Sequence, residues 1–240
     1  GCLFDPDCAG AKPHLYAICC HGYSGQPQDM AKYAHRFARL GFTVLVPALR
    51  GHGLSEGRYA GMGWLDRRDL MRWISLIIDS DADARILLQG KSMGAAAVMM
   101  TVGEPDLPRN VVAAVEDCGY ASVGQQFIDC ARSMFHLPKF LAKPIVTTMG
   151  AIARRRAGYG FQEASCVEQL KHATIPMLFI HGGADDFVPS RALDENFDAC
   201  ASIDRQKLLI PSAGHSMSAS TAPVVYWKTV TNFVTRVFGL

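Results

Sequence analysis

Apolar residues in this chain fall into short continuous runs separated by stretches with helical spacing. The runs "LYAICC" (15–20), "FTVLV" (42–46), "RILLQ" (85–89), "VVAAVE" (111–116), "MLFIH" (177–181) and "KLLIP" (207–211) have the length of strands, not of helices. Between them, apolar positions recur at three- and four-residue steps. Met30, Ala34, Phe37 and Leu40 share one face of a helix predicted around 28–40, which Gly41 ends. Trp64, Met71, Ile74 and Ile78 align over 64–79, and Leu193, Phe197 and Cys200 over 190–201. Another helix begins at about 93, and a last one runs from about Pro223 to Phe238. Strands that read as unbroken apolar runs belong in a parallel sheet covered on both faces. The expected fold class is therefore α/β, a doubly wound and mostly parallel sheet, in one domain over 1–240.

One segment breaks the alternation. Residues 120–172 hold no convincing strand, but they do hold helix-like pieces, "QQFIDCARSMF" and "PIVTTMGAIARRR", punctuated by Pro138 and Pro144. An insertion after a strand, at the carboxyl edge of a parallel sheet, lies where ligands bind in such folds. A small helical lid over 120–172 is the expectation.

The stretch "RILLQGKSMGAAAV" (85–98) carries the chemistry. Gly90-Lys91-Ser92 resembles the end of a phosphate-binding loop, but that loop needs a glycine at position 85, which is Arg85. The strand also runs straight into Gly90, leaving no loop of amides to wrap a phosphate. The same residues fit a G-x-S-x-G elbow, in which a serine sits on a strained strand-to-helix turn with small residues two places to either side. Gly90 and Gly94 fill those places, making Ser92 the candidate nucleophile. The amides of the following helix would face a developing oxyanion.

A serine needs a base, and the base needs an acid. His215 in "PSAGHSMS" follows the strand 207–211, and Asp185 in "HGGADDFVP" follows the strand 177–181. Both lie at carboxyl ends, so their side chains would converge with Ser92 on one edge of the sheet. Asp117, in "VEDCGY", is a competing acid, and Asp186 is expected to brace its loop. The oxyanion hole would pair the N–H of Met93 with that of Tyr23 in "CCHGYSG", with His21 structural. Arg50 and His52 of "RGHGLSEG" are expected to brace the site. The substrate pocket is assigned to Trp64, Tyr120, Phe127, Met134 and Phe135. No H-E-x-x-H, paired Cys/His spacing or G-x-G-x-x-G occurs, so neither metal nor dinucleotide is expected.

Composition adds exclusions. Charged residues are 19% and the net charge is +2, which gives no case for nucleic acid. No window approaches the ~20 apolar residues of a membrane span. The eight cysteines are scattered and include no Cys-x-x-Cys, which points to free thiols in a reducing, cytoplasmic setting, with a Cys2–Cys8 bridge left open.

Taken together, "HGYSG", "PALRGHGLSEG", "GMGWLDRRDL", "GKSMGAA", "VEDCGY", "HGGADDFVP" and "AGHSMS" resemble the α/β-hydrolase superfamily. The likeness is greatest to its bacterial, esterase-like serine hydrolases related to prolyl-oligopeptidase catalytic domains, and it covers nearly the whole chain. It implies a Ser92–Asp185–His215 triad, an oxyanion hole at Tyr23 and Met93, and no cofactor. Two departures stand out. Ala48 replaces the acid of the usual P-D-x-R-G-H-G, and the fourteen residues before strand 15–20, including Asp5-Pro6-Asp7, do not supply the family's initial antiparallel hairpin. The N-terminal strands are therefore expected to be missing, and a leader or membrane anchor would lie in whatever preceded residue 1. The expected reaction is hydrolysis of small carboxylic esters through an acyl-enzyme on Ser92. Peptidase or acyltransferase activity is the alternative, and a non-catalytic binding protein a third possibility.

Overall fold

The alternation of strands and helices is realised in the computed structural model, which describes residues 1–4 and 12–240. Strands β1 (Cys2–Phe4), β2 (Leu15–Cys20), β3 (Thr43–Val46), β4 (Arg85–Lys91), β5 (Val111–Asp117), β6 (Met177–Gly182) and β7 (Arg205–Ile210) form one sheet. Their order is β1-β3-β2-β4-β5-β6-β7. Helices α1 (Ala31–Ala38), α2 (Asp66–Ser80), α3 (Met93–Val102), α4 (Val123–Phe135), α5 (Lys139–Ala157), α6 (Cys166–Leu170), α7 (Arg191–Ala199), α8 (Ser218–Thr221) and α9 (Pro223–Phe238) connect and cover it.

Each face of the sheet carries its own core. On one, Leu70 and Ile74 of α2, most of α3, Leu170 of α6 and Leu193 of α7 pack against Ile18, Ile86, Leu88 and Phe179. On the other, Phe37 of α1 and Tyr226, Phe233 and Phe238 of α9 pack against Ala17, Val44, Leu87 and Ile180. This two-sided cover is why the central strands read as continuous apolar runs. β7 is the exception. As an edge strand it leaves Lys207 and Leu209 open to solvent.

β1 amends in part the expectation that the N-terminal strands are missing: one short antiparallel strand precedes β2 among the described residues, not a hairpin of two. Cys2 and Phe4 pair antiparallel with Val46 and Val44 of β3. Three residues are too few to show a period, and this strand exists only through its ladder to β3, so sequence alone could not register it. Asp5, Pro6, Asp7 and Cys8 lie outside the described residues. The seven described cysteines are free. Among the described residues, no helix is long and apolar enough to cross a membrane.

Two features of this topology position the site. The chain runs from β2 outward to β3, then crosses back to β4, so the strand order switches between β2 and β4, whose carboxyl ends carry His21-Gly22 and Ser92. Clefts in open α/β sheets form at such switch points. The 120–172 segment holds α4, α5 and α6. Helix α6 packs on α3 and α7, whereas α4 and α5 pack on each other.

Glu116 of β5 is fully buried on the α3 side of the sheet. Its Oε2 accepts the Gly119 N–H at 3.0 Å, and Oε1 has no partner among the described residues. Burial pushes its carboxyl up to about 8. The native state therefore holds a proton that the unfolded chain has already released above its ordinary carboxylate pKa. The contribution of Glu116 to stability falls as pH rises from about 4.5 to 8. Glu116→Gln is expected to flatten that decline, worth a few kcal/mol at the upper end. Thermal melts of both proteins across this pH range check it.

Candidate active site

Ser92 sits between β4 and α3 with φ 56° and ψ −119°, a conformation side-chain-bearing residues rarely adopt. Its neighbours make this turn possible. A Cβ on Gly90 would meet the Gly94 carbonyl oxygen at 2.2 Å, and one on Gly94 would meet the Cys20 oxygen at 2.2 Å. The Ser92 N–H donates to the Asp117 oxygen at 2.8 Å and its carbonyl accepts the Ala96 N–H, so the strained residue is pinned on both sides.

The structure brings Ser92, His215 and Asp185 together. Ser92 Oγ lies 2.8 Å from His215 Nε2, and His215 Nδ1 lies 2.8 Å from Asp185 Oδ2. With Nδ1–H donating to the carboxylate, Nε2 is left to accept the Ser92 O–H; these roles follow from the partners. Asp185 is itself fixed, its Oδ1 accepting the N–H groups of Phe187 at 3.0 Å and Val188 at 2.8 Å. Burial alone would raise its pKa, but hydrogen bonds from His181 and His215, with the Val188 N–H, hold it far below the usual carboxylate range. These partners favour the ionised form of Asp185 beside His215.

Asp117 faces a different environment. Its Oδ2 accepts Tyr226 Oη–H at 2.9 Å and Tyr33 Oη–H at 3.4 Å, and burial raises its pKa to about 6. It makes no hydrogen bond to His215. The structure thus pairs Asp185, not its competitor, with the histidine. Asp186 takes no part in these contacts.

Met93 opens α3 directly after Ser92, and Tyr23 lies three residues past β2. Among the described residues, no backbone hydrogen bond outside the regular elements uses either N–H. His21 is structural, as expected. Its Nδ1 lies 2.8 Å from the Gly22 oxygen, and its Nε2 accepts the Leu49 N–H at 3.0 Å. Burial lowers its pKa, keeping it neutral. Arg50 clamps Asp69 through two 2.6 Å bonds, and His52 Nδ1 bonds the Arg50 oxygen, so both brace the neighbouring loop.

A cavity of about 460 Å³ opens on Ser92. Tyr120 and Phe127 line it as expected; Trp64, Met134 and Phe135 do not. Trp64 turns away, its ring beneath the Arg67 guanidinium at 3.5 Å, and Met62 of the same loop takes its place. Met134 and Phe135 belong to the last turn of α4, which extends past the cavity into solvent. The lining that sequence reasoning missed comes from Tyr159, Phe161, Phe187, Met149 and Ile152. Phe161 stacks on Phe127 with ring centres 4.8 Å apart. The signal was "GYGF" (158–161), an aromatic pair set between glycines just where α5 ends.

A second, more polar cleft of about 390 Å³ meets the first at Tyr23, Ser92 and Phe187, and carries Ser24, Asp29, Lys91, His215 and Ser216. Lys91 therefore has a place beside the nucleophile. One grouping has the residue types of a metal site: Cys118 Sγ, an Asp185 oxygen and a His215 nitrogen lie within 4.8 Å of one another. Burial pushes the Cys118 thiol well up, however, and it bonds Ser216 Oγ at 3.5 Å. His215 Nδ1 and Asp185 Oδ2 already bond each other at 2.8 Å, so two of these three groups are engaged in the Ser–His–Asp chain.

Comparison with known proteins gives the family and the fold. The family model described as Hydrolase_4, serine aminopeptidase S33, matches residues 11–153, which include Ser92. The uncharacterized protein YqkD of Bacillus subtilis (strain 168) is 26% identical over 218 residues, 90% of this chain and 70% of that protein. The uncharacterized protein Rv2307c of Mycobacterium tuberculosis (strain H37Rv) is 28% identical over 90% of this chain and 67% of its own length. Among solved structures, the Pyrococcus furiosus esterase Pf2001 superposes with a TM-score of 0.74 at 19% identity, covering 93% of this chain and 83% of that one. The matched family, the fold and the pinned serine at the strand switch converge on one conclusion: this chain belongs to the serine aminopeptidase S33 family of α/β serine hydrolases.

Proposed function

We propose that the protein hydrolyses carboxylic esters through an acyl-enzyme on Ser92, with α4 and α5 acting as a lid over the acyl site. Ser92 Oγ attacks the ester carbonyl as its proton passes to His215 Nε2, and the negative charge that forms on the carbonyl oxygen accepts the N–H groups of Tyr23 and Met93. Asp185 stabilises the imidazolium through Nδ1–H without taking the proton. Collapse breaks the bond to the alcohol oxygen, which leaves with the proton from Nε2. Water then repeats the sequence, giving its proton to His215 and releasing the acid.

The observation that carries ester over peptide is the lining of the larger cavity. It is aromatic and aliphatic, and its one charged lining residue is the cation Arg156. An aminopeptidase needs a carboxylate at the acyl side to hold a free α-ammonium, and an arginine there repels it. Asp29 lies in the other cleft and already accepts the Gln26 N–H at 2.8 Å. At roughly 30 Å³ per small group, 460 Å³ takes an acyl chain of about ten carbons with slack.

Turnover of p-nitrophenyl esters is expected to rise with acyl length to about that size and then fall, while aminoacyl p-nitroanilides react far more slowly. Faster cleavage of the anilides would overturn the ester reading. Phe127→Trp, which fills the cavity, should move the optimum to shorter chains. Asp185→Asn should lower kcat by about 10⁴-fold, because the amide stabilises the wrong tautomer and no imidazolium. Asp117→Asn, keeping its tyrosine contacts, should change kcat by no more than severalfold; equal losses in both variants would contradict the assignment.

A further inference from the structure

Helix α5 turns an apolar stripe outward. Leu141, Ile145, Met149 and Ile152 recur at four, four and three residues, and each is between 40% and 50% exposed. Phe140 at its start and Met134 and Phe135 at the end of α4 extend the surface, with Phe135 and Phe140 at least 70% exposed. A helix on a globular body buries its apolar side against that body. Here the inner side is already filled by Ala142, Val146 and Gly150, so this outer stripe is a second apolar face.

Two observations say what covers it. The first is charge. Within 130–162 the chain has Arg132, Lys139, Lys143, Arg154, Arg155 and Arg156 and no Asp or Glu, whereas the whole chain has 24 Lys and Arg against 22 Asp and Glu. The remainder of the molecule is net acidic, and the positive charge is concentrated on this one helical pair. Arg132, Lys139, Lys143 and the arginine triplet are all at the solvent-accessible surface. The second is continuity. Met149 and Ile152 belong both to the exposed stripe and to the lining of the cavity that opens on Ser92, and Arg156 stands at the same rim.

We infer that the α4–α5 face docks on an anionic lipid surface. Apolar side chains flanked by lysine and arginine are what an interfacial helix presents to a bilayer, with the chains among the acyl groups and the cations at the phosphates. A second copy of the chain is a poor occupant, since an isologous contact would bring two strongly cationic faces together. A nucleic acid would use the cations but leave Phe135, Phe140 and Ile145 without a partner. Docking in this orientation sets the cavity mouth against the lipid, so an apolar acyl group can reach Ser92 without crossing water. That consequence rests on the proposed ester hydrolysis; the docking itself does not.

Flotation with phosphatidylcholine vesicles, with and without phosphatidylglycerol, tests the docking. The intact protein is expected to float with the anionic vesicles, less so as salt is raised, and to stay behind with phosphatidylcholine alone. Leu141→Ser with Ile145→Ser, and separately Lys139→Glu with Lys143→Glu, should each weaken partitioning by about tenfold or more. All four positions are exposed, and unchanged thermal melts confirm intact folds. Ser92→Ala should float as the wild type does. No flotation with anionic vesicles at low salt would overturn the inference, as would equal flotation of wild type and both double variants. A dimer in light scattering that the serine variant dissolves would overturn it in favour of a second copy. Loss of fluorophosphonate reactivity in a protein that still floats would sink the ester chemistry and leave the docking standing.

Discussion

His215→Ala is expected to lower kcat/KM for an ester by about 10⁴–10⁶-fold while leaving the fold and KM nearly unchanged. The reason lies in the single path available to the Ser92 proton. Ser92 Oγ has its hydrogen bond with His215 Nε2 at 2.8 Å, and the ring is held in place by Asp185. Without the imidazole, the hydroxyl must ionise at its own high pKa and the leaving alcohol must depart as an alkoxide. What survives is the contribution of the two N–H groups and of substrate binding, which do not depend on the ring. Ser92→Ala should cost a similar factor, and the double variant little more than either alone, because the two groups act as one unit. His215 is only partly buried, and the buried Asp185 carboxylate it leaves behind keeps the N–H groups of Phe187 and Val188, so the fold is expected to survive. Steady-state kinetics on the three variants, with matched thermal melts, would show this. Additive losses in the double variant would mean that the two side chains act separately.

The second large effect is on folding. Gly94→Ala is expected to destabilise the protein by more than about 4 kcal/mol, enough to abolish soluble, labelled enzyme. The added methyl would lie 2.2 Å from the Cys20 oxygen and 2.5 Å from the His21 oxygen. Both are backbone atoms of β2 and its loop, so no side chain can swing aside. α3 would have to withdraw from the sheet, and α3 is buried on every side. Gly90→Ala meets the Gly94 carbonyl just as closely and should behave alike. Gly158→Ala is the contrast. Gly158 has a positive φ, 80°, which Gly94 does not, but nothing lies within 4 Å of its would-be methyl, so its cost should be the backbone term of about 1–2 kcal/mol. Chemical denaturation separates the two cases; equal losses at Gly94 and Gly158 would show that packing at the elbow is not what requires glycine.

Much of this was legible in the residues because the relevant signals are local. A buried parallel strand needs a continuous apolar run, so β2, β4, β5 and β6 announced themselves. The elbow needs glycines two places either side of the serine, and Gly90 and Gly94 are there for reasons of backbone contact that spacing alone reveals. Asp185 and His215 could be placed because each follows directly on a strand whose end must lie at the same edge. The choice of Asp185 over Asp117 needed the structure, since both follow strands in the sheet. Only the fold shows that Tyr226 and Tyr33 occupy the Asp117 carboxylate.

What was not legible depends on long-range placement. β1 is three residues that become a strand only beside β3. Trp64 and Met62 are two residues apart, and the loop's turn decides which of them faces the cavity. Met134 and Phe135 read as pocket lining because a helix pattern does not say where its last turn ends relative to a pocket. Phe161 and Tyr159 reach the cavity only because the chain doubles back at Gly158. Periodicity assigns the apolar side of a helix; it does not reveal that α5 carries apolar residues toward both the body and the solvent.

The central claim is that Ser92 is an activated nucleophile, and one measurement addresses it most directly. The folded protein is incubated with a fluorophosphonate probe, digested, and the modified peptide located by mass spectrometry. The proposed chemistry predicts a single adduct on Ser92, formed rapidly in the wild type, absent in Ser92→Ala and slowed by orders of magnitude in His215→Ala. Folded wild-type protein that remains unlabelled, or an adduct on another serine, would contradict it.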